Sequence, residues 1–276
     1  MKLNNKIALV TGGTSGIGLA AVTLFRREGA KVVAVGTDRE RLKQVETQLG
    51  EDGLAMAANL RRPAEIDRVI EVVRDRYGRV DVLFANAGLG RAASLEAVTE
   101  ADLDEQFEVN VKGLFFTVQK AVPLIARGGS IVLTTSFLNT KGTPGLSILS
   151  ATKAAVRSLA RTLGAELAPR GIRINAVSPG PISTPFASKM GLSEQELKAF
   201  AEGVEGQVPL QRLGVALHAL QAEKAPLVIE GRVLAPDALD DLQPLVAFVV
   251  ARVAGFAGRL AEHAELVLVP AAHDVE

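Results

Sequence analysis

The chain has 276 residues, in which 31 lysines and arginines balance 31 aspartates and glutamates. A net charge of zero excludes an overall basic surface of the kind that attracts nucleic acid or anionic lipid, and it favours a small neutral or anionic ligand. The lack of cysteine excludes disulfides, thiolate metal sites and a cysteine nucleophile. The histidines His218, His263 and His273 lack metal-ligand spacing, so we expect no metal site.

Short apolar runs alternate with longer helical patterns up to about residue 180. We predict strands at 7–10, 32–35, 54–57, 80–85, 130–134 and 173–177, and helices at 16–28, 39–49, 63–77, 99–125 and 150–168. This alternation indicates βαβ units with right-handed crossovers around a parallel sheet. The sequence therefore predicts an α/β protein with a Rossmann-like, doubly wound parallel sheet in a three-layer α/β/α arrangement, as a single domain over residues 1–276.

The pattern loosens after Pro179. Proline and glycine punctuate a stretch at 186–207, which we interpret as a lid with a helix at 193–202. An atypical segment at 215–237 follows, with a strand at 227–229. A last helix at 240–253 and a last strand at 265–269 are expected to complete the sheet.

Residues 1–6 lead directly into the first predicted strand without an apolar signal region. The longest purely apolar run, 245–251, is far shorter than the ~18 residues of a membrane-spanning helix. We therefore expect a soluble, cytoplasmic protein that binds neither membrane nor nucleic acid.

A glycine-rich turn separates the first predicted strand from the first predicted helix. Its sequence is Thr11-Gly12-Gly13-Thr14-Ser15-Gly16-Ile17-Gly18. Glycines in this position let the backbone turn sharply and approach a pyrophosphate at the helix N-terminus. The turn therefore predicts a dinucleotide site.

The spacing Gly12-x3-Gly16-x-Gly18, together with Asn86-Ala87-Gly88 after the fourth strand, resembles the short-chain dehydrogenase/reductase family over residues 6 to about 214. The resemblance implies an NAD(P)-dependent oxidoreductase that interconverts a carbonyl and an alcohol on a small molecule. It assigns catalytic roles to Asn110, Ser136 and Lys153. The implied cofactor-binding residues are Gly12, Thr14, Ser15, Gly16, Ile17, Gly18, Thr37, Arg39, Asn59, Leu60, Asn86, Ala87, Gly88, Lys153, Pro179, Gly180, Ile182 and Thr184.

Leu149 stands where the family has its catalytic tyrosine, 13 residues after Ser136 and four before Lys153. In the family, the tyrosine phenol exchanges the proton at the substrate oxygen, and the lysine lowers the phenol pKa and holds the ribose. Leucine has no proton to give, which predicts a rate lower by roughly 10²–10⁴-fold. Tyr77, the only tyrosine, ends the third helix, and serine hydroxyls such as Ser147 and Ser150 have too high a pKa to replace a phenol unaided.

The end of the second strand bears on the cofactor. A carboxylate there would bond the ribose 2′-hydroxyl of NAD and repel the 2′-phosphate of NADP. Gly36 occupies this place, while Thr37, Arg39 and Arg41 could bind a phosphate. NADP is favoured over NAD on this basis, although Asp38 argues for NAD.

Two functional classes remain open. One is an oxidoreductase weakened or altered by Leu149; the other is an inactive NAD(P)-binding protein, acting as a sensor or an oligomer partner. Leu149 could also be an introduced substitution or a sequence error.

Helices 99–125 and 150–168 carry apolar residues on more than one face, which favours a homodimer or homotetramer.

Overall fold

A computed structural model describes residues 1–205 and the short strands at 214–215, 228–229 and 232–233. Six strands pair in parallel: β1 (Ile7–Thr11), β2 (Lys31–Gly36), β3 (Leu54–Ala57), β4 (Val80–Ala85), β5 (Ile125–Thr134) and β6 (Arg173–Val177). Their order across the sheet is β3-β2-β1-β4-β5-β6, so the winding reverses between β1 and β4. This order confirms the predicted Rossmann-like, doubly wound sheet.

Helices cover both faces of the sheet. They are α1 (Gly16–Arg27), α2 (Arg39–Leu49), α3 (Pro63–Tyr77), α4 (Glu100–Phe107), α5 (Leu114–Ala121), α6 (Ser147–Leu167) and α7 (Glu194–Glu205). Because successive strand residues point to opposite faces, Val10 packs with Phe25 of α1, while its neighbour Leu9 packs with Val73 of α3 and Val156 of α6. Two apolar cores thus flank the sheet, and the predicted three-layer arrangement is confirmed.

The prediction of one continuous helix at 99–125 is wrong. The chain forms α4, a π-helical turn at Glu108–Gly113, α5 and a 3₁₀ turn at Val122–Leu124 before it enters β5. Pro123 explains the end of α5, since proline has no N–H for the helical ladder and its ring excludes a further helical turn. The π-helical turn inserts a residue into the helix, which periodicity alone does not reveal.

Two boundaries also differ from the prediction. The helix expected at 150–168 begins at Ser147, so Leu149 lies in its first turn. Strand β5 begins at Ile125 and not at residue 130, and its pairing with β4 is irregular between Val80 and Val82.

Beyond β6, Ile182–Ser183 pairs in parallel with Gly214–Val215, and Val228–Ile229 pairs antiparallel with Arg232–Val233. Helix α7 confirms the helix predicted at 193–202. The predicted helix at 240–253 and strand at 265–269 lie outside the described residues. Among the described residues, no helix is both long and apolar enough to span a membrane.

Candidate functional site

The candidate site lies at the carboxyl ends of the parallel strands, at the point between β1 and β4 where the strand order reverses. Doubly wound sheets bind their ligands in a crevice at this point. The segments that follow β1, β2, β3, β4, β5 and β6 carry most of the predicted site residues. Since these strand ends share one edge of the sheet, segments far apart in sequence meet there.

The glycine-rich turn fits a pyrophosphate. Gly12 and Gly16 have φ angles of +65° and +51°, which L side chains rarely adopt. A Cβ on Gly12 would lie 2.9 Å from the Cα of Ala87, and a Cβ on Gly18 would overlap the carbonyl oxygen of Gly12. The three glycines therefore bring the turn, the start of α1 and the end of β4 into contact, which no larger residue allows.

The first turn of α1 follows the glycine-rich turn directly, and its backbone N–H groups are not capped by a side chain. Ser15 is the N-cap residue, and its side chain makes no capping hydrogen bond. The first-turn N–H groups are thus suited to an anion, as a pyrophosphate site requires. Ile17 packs against the core beneath α1, which holds the turn in place.

Asn86 joins three strands at the crevice. Its Nδ2 donates to the carbonyl of Thr11 at 3.3 Å, and its Oδ1 accepts from the hydroxyl of Thr134 at 3.2 Å. The hydroxyl of Thr11 in turn accepts from the backbone N–H groups of Asn86 and Ala87, at 3.0 and 3.1 Å. These bonds fix the ends of β1, β4 and β5 relative to one another.

At the end of β2, the side chain of Thr14 covers Gly36. A Cβ on Gly36 would lie 2.6 Å from the Oγ1 and Cγ2 atoms of Thr14, so a carboxylate side chain does not fit there without movement. The carboxylate of Asp38 caps α2 by accepting from the N–H groups of Glu40 and Arg41, and it pairs with the Arg41 guanidinium at 3.2 Å. Thr37 and Arg39 are exposed beside it.

After β3, the half-buried Asn59 accepts from the N–H of Arg61 through Oδ1 at 3.1 Å, and its own N–H donates to Glu65 at 2.8 Å. The hydrogen bond from the Asn59 N–H is the largest cause of the lowered pKa of Glu65. Leu60 is buried, and its carbonyl oxygen and Cβ lie close to Gly113 at the end of the π-helical turn. This turn after β3 therefore packs directly on the segment that carries Asn110.

Lys153 is buried, with 7% of its surface exposed. Its ammonium donates to the carbonyl oxygen of Thr134 at 3.0 Å, and burial lowers its pKa to about 8. A Cβ on Gly88 would lie 3.4 Å from this ammonium and 3.1 Å from Oδ1 of Asn110. The structure thus brings Gly88, Asn110 and Lys153 together.

Asn110 lies in the π-helical turn and is 1% exposed. Its amide group pairs with the backbone of Leu89 in both directions, each at 2.8 Å. Its Nδ2 also donates to the hydroxyl of Thr152 at 3.1 Å, and that hydroxyl donates to the carbonyl oxygen of Leu149 at 2.8 Å. Asn110 therefore connects the loop after β4 with the first turn of α6.

Ser136 begins a 3₁₀ turn after β5, and its Oγ accepts from the N–H of Leu138 at 3.3 Å. Sequence reasoning missed the polar network behind it. The amide of Asn139 donates to the hydroxyls of Thr135 and Ser178, at 3.3 and 2.9 Å, and those two hydroxyls lie 2.6 Å apart. The available signal in the sequence was that polar residues follow both strands directly: Thr135 and Ser136 after β5, and Ser178 after β6.

Leu149 is 4% exposed and belongs to an apolar cluster with Leu138, Leu146 and Met190. Phe137 and Phe186 pack against the same cluster, as does Phe200 of α7. Sequence reasoning also missed Gly90: a Cβ there would lie 3.0 Å from both Leu149 and Phe186. Tyr77 is remote, since it packs under another part of the sheet and donates to the carbonyl of Asp52 at 3.1 Å.

The loop after β6 closes over the glycine-rich turn. Thr184 faces Gly16, where a Cβ would lie 3.1 Å from the Cβ of Thr184. Pro179 accepts through its carbonyl from the N–H of Phe137 at 3.0 Å, and Gly180 leads on to the short strand that contains Ile182. Thr37 and Arg39, by contrast, are exposed after β2, and among the described residues no hydrogen bond links either of them to Ser136.

Comparison with known proteins gives consistent results. A family model described as short chain dehydrogenase matches residues 6–195. The chain is 43% identical over 215 residues to oxidoreductase asL5 of Sarocladium schorii. The aligned region covers 77% of this chain and 84% of that protein.

Solved structures agree with the fold. A 3-ketoacyl-(acyl-carrier-protein) reductase from Brucella melitensis, complexed with NADH, matches with a TM-score of 0.71 and 29% identity, over 80% of this chain and 89% of that one. A short chain dehydrogenase from Burkholderia cenocepacia, in complex with NADP, matches with a TM-score of 0.73 and 29% identity, over 92% of each chain.

Proposed function

Because this chain belongs to the short-chain dehydrogenase family and is an NAD(P)-dependent oxidoreductase, we propose that it interconverts a carbonyl and an alcohol on a small, largely apolar molecule, at a rate lowered by Leu149. One observation carries this proposal: Gly88, Asn110 and Lys153 lie together, while the side chain at position 149 is buried in an apolar cluster. The cluster would form the wall against which the substrate packs.

The glycine cradle, the open N-terminus of α1 and the loop after β6 fit a dinucleotide, and NADP is the favoured form. Thr14 fills the space above Gly36, Asp38 is engaged in capping α2, and Thr37 and Arg39 are exposed for a 2′-phosphate. When bound, NADP(H) supplies the hydride acceptor or donor. The holding residues would be Gly12, Thr14, Ser15, Gly16, Ile17, Gly18, Thr37, Arg39, Asn59, Leu60, Asn86, Ala87, Gly88, Lys153, Pro179, Gly180, Ile182 and Thr184.

Three residues would act around the reacting carbon. Ser136 donates its hydroxyl proton in a hydrogen bond to the substrate oxygen, because its Oγ accepts from Leu138 and its own O–H is then available. Lys153 holds the ribose from a position fixed by Thr134. Asn110 keeps the loop after β4 and the first turn of α6 in register.

Leu149 leaves the proton step without its usual donor. General acid catalysis contributes about 10²–10⁴-fold, while bound orientation and the Ser136 hydrogen bond remain. We therefore expect slow but measurable carbonyl reduction.

The test is Leu149→Tyr, assayed for NADPH oxidation on a panel of small ketones and aldehydes. Leu149→Phe is the matched control, since it adds the ring without the hydroxyl. The proposal requires that tyrosine raise the carbonyl rate by about 10²–10⁴-fold and phenylalanine by far less. Equal rates in all three proteins would contradict it.

The second candidate is a cofactor-binding protein without dehydrogenase chemistry. The burial of Leu149 in an apolar cluster, with Phe186 packed against it, favours this candidate, because the side chain at this position offers no proton for the reaction. It predicts that NADP raises the melting temperature while neither the wild-type protein nor Leu149→Tyr reduces any carbonyl.

We further propose that the protein is a homodimer or homotetramer. Leu114 and Val118 face the core of their own subunit, whereas Phe115 turns away from it. A groove of about 480 Å³ runs along this outer face, and it is lined by Asp104, Phe107, Glu108, Val111, Lys112, Phe115, Phe116 and Leu159. An apolar groove with charged edges suits a second copy of the same helices.

A further inference from the structure

A cluster of three hydrogen-bonded side chains joins the ends of β5 and β6 next to Ser136. The Nδ2 of Asn139 donates to the hydroxyl oxygens of Thr135 and Ser178, at 3.3 and 2.9 Å, and those two oxygens lie 2.6 Å apart. Thr135 is buried, and the other two residues are half-buried. Since water has little access to this cluster, its hydrogen bonds are not readily replaced by bonds to solvent.

The directions of these hydrogen bonds follow from a carbonyl group. The hydroxyl of Thr135 lies 2.8 Å from the carbonyl oxygen of Val177, which can only accept, so the single Thr135 proton is donated there. Ser178 must then donate its proton to Thr135, and the amide of Asn139 supplies the second bond to Thr135 and a bond to Ser178. A reversed amide would set Oδ1 against the Thr135 oxygen, with no proton between them. The cluster therefore needs a donor at position 139.

Asn139 also closes the turn that carries Ser136. Its backbone N–H donates to the carbonyl oxygen of Ser136 at 3.0 Å, and its side chain reaches back to Thr135, the residue before Ser136. The Oγ of Ser136 accepts from the N–H of Leu138 within the same turn. The backbone of Ser136 is thus held on both sides, which limits the directions in which its hydroxyl can point.

The same cluster holds the loop after β6. Ser178 is the first residue of this loop, and the next residue, Pro179, accepts from the N–H of Phe137 at 3.0 Å. The loop continues to Thr184, which faces Gly16 of the glycine-rich turn. In the sheet order, β5 and β6 lie on the opposite side of β1 from β2. A dinucleotide with its adenosine beyond β2 and its pyrophosphate at the glycine-rich turn would therefore extend its nicotinamide half toward this loop.

We propose that Asn139 is a positioning residue, which fixes the Ser136 hydroxyl relative to the loop after β6 and so relative to the nicotinamide half of the cofactor. The inference rests on the proposed function, since it requires the same cofactor and the same role of Ser136. One side chain then sets the distance between the hydrogen bond to the substrate oxygen and the carbon that exchanges the hydride. A misplacement of about 1 Å between such groups can lower a rate by about 10²-fold.

The first measurement is cofactor binding, which does not depend on turnover. Asn139→Ala removes the donor, whereas Asn139→Asp keeps the size of the side chain but has no proton to give when ionised. Calorimetric titration should show that both variants bind NADPH about three- to tenfold more weakly, and bind adenosine 2′,5′-bisphosphate, which has no nicotinamide, within about twofold of the wild type. Tyr77→Phe is the control, because it removes one hydrogen bond, to the Asp52 carbonyl, away from the site.

The second measurement is the reduction of a small ketone at saturating NADPH, by the wild type and by Leu149→Tyr. In both backgrounds, Asn139→Ala should lower kcat and kcat/KM for the ketone by the same factor, about 10- to 100-fold, because the lost alignment acts in the transition state. Ser178→Ala should have a similar effect, and the double variant should lose little more than either single variant, since the two residues act as a unit. Circular dichroism would confirm that each variant is folded.

An Asn139→Asp protein with wild-type NADPH affinity and kcat would overturn the inference, because it would show that the side chain only fills space. Equal losses of affinity for NADPH and for the bisphosphate would also overturn it. The proposed function fails separately. A wild type that binds no NADPH removes the proposed function and this inference together, whereas unchanged Asn139 variants of a protein that binds NADPH remove only the role of Asn139.

Discussion

The ammonium of Lys153 donates to the carbonyl oxygen of Thr134 at 3.0 Å, in a position where only 7% of the lysine is exposed. This bond connects the first turns of α6 with the end of β5, two residues before Ser136. It also places a titratable group in a region of low polarity, which has a measurable consequence for stability.

The stability should rise with pH because of Lys153. Burial lowers its pKa from 10.5 to about 8, so between these values the unfolded chain binds a proton that the folded chain has released. The free energy of unfolding therefore increases as the pH rises through this range, by at most about 3 kcal/mol. Lys153→Met should lack this contribution, and urea unfolding of both proteins without cofactor, from pH 7 to 10, would measure the difference. Parallel pH profiles of the two proteins would contradict the assignment.

Gly18→Ala should destabilise the protein although alanine favours helices. The new methyl group would overlap the Gly12 carbonyl oxygen, which belongs to rigid backbone, and we expect a net loss of about 1–3 kcal/mol together with weaker NADP binding. Gly203→Ala is the matched control in α7, since none of the described residues has an atom within 4 Å of its Cβ position. Alanine there should leave the melting temperature unchanged or raise it, by up to about 1 kcal/mol of stability. A stable Gly18→Ala protein with normal NADP affinity would refute the close approach.

The parts of the site that could be predicted from sequence are those whose backbone conformation or close packing only one residue type allows. Gly12, Gly16 and Gly18 predict a tight turn because no other residue fits there. The alternation of apolar runs with helical patterns predicts the parallel sheet. The π-helical turn at Glu108–Gly113 could not be predicted, since one inserted residue hardly disturbs a helical pattern. The packing of Leu149 against Phe186 and Gly90 also depends on tertiary contacts between segments distant in sequence, which a linear pattern does not contain.

Arg39→Ala should reduce the affinity for NADPH and leave that for NADH unchanged. A charge-assisted hydrogen bond to a 2′-phosphate contributes about 1.5–3 kcal/mol, which corresponds to a loss of roughly 10- to 150-fold in affinity. Lys43→Ala is the control, because Lys43 is one turn further along α2 and pairs with Glu40. Fluorescence titration with both cofactors would measure the change. An equal loss for NADH and NADPH would show that Arg39 does not read the 2′-phosphate.

Phe115→Asp should dissociate the proposed oligomer. Phe115 lies half-buried on the outer face of α5 and meets Phe116 edge-to-face, with ring centroids 5.7 Å apart, whereas the core contacts of this helix are made by Leu114 and Val118. A carboxylate in an apolar interface loses its hydration without gaining a partner, which costs several kcal/mol at each symmetric contact. The fold of the subunit should survive, because the substituted side chain does not belong to either core.

Leu95→Asp is the control for this substitution, since Leu95 is an exposed leucine outside the groove, with 81% of its surface accessible. Light scattering coupled to gel filtration would give the mass of each species, and circular dichroism would confirm that both variants are folded. We expect a dimer or tetramer for the wild type and Leu95→Asp, and a monomer for Phe115→Asp. A wild-type monomer, or an unchanged mass in Phe115→Asp, would show that the groove along α4, α5 and α6 is not the interface. A partner subunit packed on this groove would bury the new carboxylate, so an oligomer that keeps its mass must use another surface.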